Sequence, residues 1–93
     1  MRREDIMVDR NLRGVALEKA GDIEAAIALY EANVRDRFDG SHPYDRLRVL
    51  YRKLGRIADL MRVARAYCAL AGGDPTLKLK FQRLIEHTTT DTG

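Results

Sequence analysis

The sequence has one cysteine, Cys68, no tryptophan and only two prolines in 93 residues. A lone cysteine excludes an internal disulfide framework and a cysteine-based zinc site, and fits a reducing, cytoplasmic setting. No run approaches the ~20 consecutive apolar residues that a membrane-spanning helix needs, so no membrane association is expected. The charged start Met1-Arg2-Arg3-Glu4-Asp5 is not followed by a long apolar stretch and does not read as a secretory signal. Strand signals are scarce too. β-branched residues are scattered, and no segment alternates apolar and polar for long. A chain this short buries only about 60–65% of the surface its unfolded form exposes. A deep enclosed active site or a large cofactor is therefore not expected, and no cofactor is read from the sequence.

What is present is helical periodicity. Ile23, Ala26, Ile27, Tyr30 and Val34 recur at three- and four-residue steps, as do Ile57, Leu60, Met61, Ala64, Tyr67 and Ala71, and again Leu77, Phe81, Leu84 and Ile85. Each set makes an apolar stripe on one side of a helix. The punctuation agrees. Gly21-Asp22 closes one helix and caps the next, Asp39-Gly40-Ser41 separates the second from the third with Ser41 as its cap, and Gly55 ends the third. Gly72-Gly73-Asp74-Pro75 ends the fourth, with Asp74 as cap and Pro75 in the first turn of the fifth. The chain is thus a single all-α domain of five antiparallel helices over about 5–20, 22–38, 42–54, 56–71 and 75–87, followed by a loose tail, 88–93.

Charge is uneven. Residues 1–40 hold seven Lys/Arg against nine Asp/Glu, whereas residues 41–70 hold seven basic residues and only Asp45 and Asp59 as acids. An acidic first part and a basic middle predict a dipolar molecule, which favours an acidic partner or head-to-tail contact with a second copy.

Gly21 and Gly55 stand 34 residues apart, each between two amphipathic helices, and Leu17-Glu18-Lys19-Ala20-Gly21-Asp22-Ile23 aligns without gaps on Tyr51-Arg52-Lys53-Leu54-Gly55-Arg56-Ile57. Period, turn and the residues Gly14, Leu17, Ala26, Tyr30, Tyr44, Leu47 and Tyr51 together resemble the tetratricopeptide repeat family. The chain departs from the pattern at Arg10, Arg13, Arg48, Leu60 and Ala64. The resemblance implies a right-handed α-solenoid, with repeat one over about 7–40, repeat two over about 41–74 and a capping helix over about 75–87. Two repeats bury little of each other, so a homodimer through an unfinished end is expected.

The resemblance also implies a concave face lined by the first helix of each unit. Its positions fall on Asn11, Leu12 and Val15, on Asp45, Arg46, Val49, Arg52 and Lys53, and on Leu79 and Arg83. That is an apolar floor (Leu12, Val15, Val49, Leu79) with a mostly basic rim (Arg46, Arg52, Lys53, Arg83). It suits a protein or peptide with apolar anchors and acidic flanks. The alternative is nucleic-acid binding along a ridge of Arg48, Arg52 and Arg56, although no aromatics interleave with it for base stacking.

Three groupings imitate chemistry. Ser41, His42 and Asp45 are the residue types of a hydrolase triad, but they crowd one helix start and cannot converge in its geometry. Cys68 falls near an apolar stripe and reads as a small buried hydrophobe. Asp91-Thr92-Gly93 matches a protease tripeptide with no mate for it in the chain. No catalytic or metal-binding residue is therefore assigned, and the chain is read as a non-catalytic interaction module.

Overall fold

A computed structural model describes residues 2–38 and 40–91, with side chains through Thr88. The chain forms five helices: α1 (Arg3–Lys19), α2 (Ile23–Arg35), α3 (His42–Leu54), α4 (Ile57–Cys68) and α5 (Pro75–Asp91). No strand occurs among the described residues. Asp39, expected in the break before α3, and Thr92-Gly93 of the tail lie outside the described residues.

Local chemistry explains the boundaries. Gly21 and Gly55 take φ of 84° and 71°, the left-handed turn that a side chain disfavours. The Asp22 carboxylate accepts the Ala25 N–H at 3.3 Å, and Asp74 accepts the Leu77 N–H at 3.2 Å. Both satisfy a donor left over in a first helical turn. Ser41 differs from expectation: its side chain makes no capping bond, and its carbonyl accepts the Asp45 N–H instead. Pro43, in the first turn, brings no donor to satisfy.

Three ends differ from the expected spans by three residues or more, and one of them is α4, which stops at Cys68 rather than at 71. α2 stops at Arg35 because Arg37 adopts a positive φ of 56°. The Arg37 and Phe38 N–H groups then donate to the Val34 and Asn33 carbonyls, closing the helix as a glycine usually does. α5 continues to Asp91, so residues 88–91, expected to be loose, are helical.

The extensive helix interfaces join consecutive helices: α1 with α2, α2 with α3, α3 with α4 and α4 with α5. The result is an elongated body of 46 × 31 × 19 Å. Its core is aromatic. Tyr30, Tyr44, Tyr51, Tyr67 and Phe81 are all buried with Leu47 and Val63. Tyr67 links the last three helices through tilted ring contacts to Tyr44 at 4.8 Å and Phe81 at 5.6 Å. Buried phenols need partners for their hydroxyls. Tyr30 donates to Glu18 at 2.6 Å, Tyr51 donates to Glu31, and Tyr67 accepts the Asp74 N–H at 2.6 Å.

The α1–α2 seam is built differently. Gly14 lies so close to Tyr30 that a Cβ there would sit 2.5 Å from the ring. Further along, Asn33 is fully buried and donates to Asn11 at 2.9 Å and to the Met7 carbonyl at 2.8 Å, and it accepts from Arg10 at 3.2 Å. Arg10 also pairs with Asp36 at 2.6 Å. Polar residues thus hold α1 against α2 along this part of the seam.

Candidate functional site

Long-range ion pairs consume most of the charge asymmetry of the sequence. Glu18 receives Arg46 through two bonds, Nη2 to Oε1 at 2.5 Å and Nε to Oε2 at 3.1 Å. Glu31 receives Arg62 at 3.0 and 2.5 Å, and Glu24 receives Arg56 at 3.2 Å. Asp59 holds both Arg56 and Arg62 on α4 itself. The acidic first part is therefore bonded to the basic middle within one chain. Bidentate carboxylate–guanidinium pairs of this kind fix geometry as well as charge.

The Glu18 cluster has a pH signature. The Arg46 guanidinium, followed by the Tyr30 hydroxyl, holds the Glu18 carboxyl below its ordinary value of 4.5, although partial burial opposes the shift. A depressed carboxylate stabilises the fold fully above its unfolded pKa and loses that contribution as pH falls through the folded one. Stability is therefore expected to decline below about pH 4.5. Glu18→Gln should flatten the decline in an acid titration followed by circular dichroism. An unchanged acid limb in Glu18→Gln would remove Glu18 from the account.

Once these pairs are made, the basic groups without an acid are the informative ones. Arg48 and Arg52 of α3 face Lys80, Arg83, Leu84 and His87 of α5 across a cleft of about 300 Å³. The spacing explains the convergence. Arg48 and Arg52 are one turn apart, and positions 80, 83, 84 and 87 share one side of α5. Arg48 is tied to Asp45 at 2.8 Å. Arg52, Lys80 and Arg83 carry no ion pair among the described residues. Among the described residues, no carboxylate lines the cleft. Cations crowded around one low-polarity space repel each other, and an entering anion relieves that repulsion.

The structure distributes the expected groove residues unevenly. Arg52 and Arg83 line the cleft, and Leu79 is exposed on α5 near it. Asn11 is not a groove residue: it is buried against Asn33. Arg46 is not a free rim cation, because Glu18 holds it. Asp45 is occupied by Arg48 and lines a separate pocket of about 90 Å³ with Ser41, Asp74, Leu77 and Lys80. Leu12 is 66% exposed on α1, Val15 and Val49 are half-buried, and Lys53 is exposed. Lys80, Leu84 and His87 belong to the cleft but were not expected there. The signal for Lys80 and His87 is their spacing of seven residues on α5, two turns along one side.

The arginine ridge is broken. Arg56 lies beyond α3, at the start of α4, where it bonds Asp59 and Glu24 and stacks 4.8 Å over the Tyr51 ring. With Arg48 held by Asp45, Arg52 is the one of the three without an ion pair among the described residues.

A second hollow of about 370 Å³ opens where α2, α3 and α4 meet, with Arg35 and Arg37 above Val34, Tyr44 and Leu70. The Cys68 thiol sits 3.8 Å from the Lys78 carbonyl, and burial pushes its pKa up. A protonated, half-covered thiol is a packing group rather than a nucleophile. Among the described residues, no three His, Cys, Asp or Glu side chains are grouped to hold a metal, and no helix is long and apolar enough to cross a membrane. Compared with protein-family models, with curated proteins and with solved structures, the chain matches none of them.

Proposed function

We propose that the chain is a non-catalytic interaction module of tetratricopeptide-like build. In this reading two helical hairpins and the capping helix α5 form a short right-handed solenoid, and the α3–α5 cleft takes a protein segment with apolar anchors and acidic flanks. The observation that carries the proposal is the cleft itself: four cationic side chains and one imidazole around Leu84, with no carboxylate among the described residues of the lining. Support for the repeat reading comes from the packing of consecutive helices and the close fit of Gly14 on Tyr30. It also comes from the two ion-paired rungs, Glu24–Arg56 and Glu31–Arg62, that tie α2 to α4. The second unit reverses the size pattern, with Arg48 and Ala64 34 residues beyond Gly14 and Tyr30.

The test is fluorescence anisotropy with labelled peptides that carry Leu or Phe anchors and Asp/Glu flanks. The same anchors with Lys/Arg flanks, and a single-stranded oligonucleotide, serve as controls. The acidic series should bind, and Arg52→Glu with Arg83→Glu should weaken it about tenfold or more, since 1.4 kcal/mol is a factor of ten. Equal binding by the reversed variant would sink the cleft assignment. Preference for the oligonucleotide with a steep salt dependence would move the function to nucleic acid.

A further inference from the structure

We infer that the cleft's partner is the outer face of α1 on a second copy of the chain. The inference rests on the reading of the α3–α5 cleft as a receptor for an acidic, apolar segment, and it names that segment.

α1 and α5 are the two ends of the stack, each with one extensive helix interface. The side of α1 turned away from α2 carries Asp5, Val8, Asp9 and Leu12, at the i, i+3, i+4 and i+7 positions of one helix face. All four are exposed, Val8 at 48% and Leu12 at 66%. Asp5 lies in the first turn, where an acid also complements the helix dipole. Asp9 lies beyond that turn, and its one ion pair is a loose 3.8 Å contact with Arg13, both side chains exposed. At the other end Leu79 is 46% exposed on α5, flanked by Lys80 and Arg83, with Arg52 across the cleft.

The two faces match in kind. Two aliphatic anchors, Val8 and Leu12, with two carboxylates one turn apart meet Leu79 and Leu84 with three cations that carry no ion pair among the described residues. This is the helix-in-groove mode of recognition. Because the faces differ, the contact is heterologous. Each copy offers its α1 face to one neighbour and its cleft to another, so assembly does not stop at a dimer unless the rotation closes a ring. The earlier expectation of a dimer therefore becomes one of head-to-tail growth.

The test uses the full chain in sedimentation velocity over a concentration series, at ~50 mM salt and again at ~500 mM, where charges are strongly screened. At low salt the weight-average mass should climb past twice 10.6 kDa as concentration rises, and it should fall towards the monomer at high salt. Asp5→Lys with Asp9→Lys disables one face, and Lys80→Glu with Arg83→Glu disables the other. Each variant alone should be monomeric. Mixed, they should co-assemble in alternation, through the intact pair of faces and through the reversed pair, and a chain carrying all four changes should assemble again. All these residues are exposed, so a thermal melt near that of the parent confirms that folding is intact.

A chain that stays monomeric throughout overturns the inference. So does a dimer that neither variant disturbs. The acidic peptides described above, run in parallel, separate the two readings. Peptide binding by a monomeric chain overturns self-docking and leaves the cleft as a receptor for another protein. Absence of both overturns both. Peptide that dissolves the assembly supports both.

Discussion

Gly14→Val is expected to destabilise the fold by about 2–3 kcal/mol, the cost typical of forcing methyl groups into a well-packed seam. The Cβ alone would lie 2.5 Å from Tyr30 Cε1 and 2.7 Å from Cζ. The obstacle is a ring rather than the end of a flexible chain. Tyr30 is fully buried, and its hydroxyl is held by Glu18, which also binds Arg46. Moving the ring therefore disturbs a junction of α1, α2 and α3. For a domain of this length the melting temperature should drop by roughly 10–20 °C. The mechanism has a specific control. Tyr30→Ala removes the obstacle and is itself costly, but the double variant should be more stable than the sum of the two singles by about 1 kcal/mol or more, as coupled neighbours are. Simple additivity would mean that the glycine is there for another reason.

Phe81→Ala should have the larger local effect, about 3–5 kcal/mol at a fully buried aromatic. That is comparable with the whole stability of a small domain, roughly 5–10 kcal/mol. Phe81 is the one α5 side chain in ring contact with Tyr67, and Leu77 and Leu84 are smaller. Because α5 has its extensive interface with α4 alone, the loss need not spread through the chain. Hydrogen exchange should show protection falling by about two orders of magnitude or more over residues 75–88 while α1 and α2 remain slow. A uniform rise in exchange along the chain would instead indicate a single cooperative unit.

Much of the architecture was legible in the sequence, and the reasons are local. Periodicity placed five helices, and Gly21, Gly55, Asp22 and Asp74 mark turns and caps by chemistry that acts within four residues. The end of α2 was not legible, because nothing in the type of Arg37 announces a positive φ; the helix closes there through bonds to Asn33 and Val34. Asn11 looked like a surface amide. Its burial depends on Asn33, 22 residues away. The same distance effect governs charge. Arg46, Arg56 and Arg62 counted as a basic surface until Glu18, Glu24 and Glu31 were brought to them by folding. Of the expected groove residues, Arg52 and Arg83 meet in the cleft. Three of the others are occupied by contacts that a repeat register does not encode: Arg46 is bonded to Glu18, Asp45 to Arg48, and Asn11 is buried against Asn33.

The cleft has one wall that is held on both sides and one that is not. α3 is clasped between α2 and α4, whereas α5 has its one extensive interface with α4. Whatever fraction of molecules has α5 seated multiplies directly into the apparent affinity, since an unseated helix carries Lys80, Arg83 and His87 away from Arg48 and Arg52. In the proposed reading, binding strength at this surface is thus partly a folding equilibrium. The apolar seam of Tyr67, Leu77 and Phe81 becomes a tuning element for an electrostatic contact it never touches. Conversely, an occupant that bridges both walls works as a latch on the terminal helix, stabilising that end of the molecule in proportion to its own concentration.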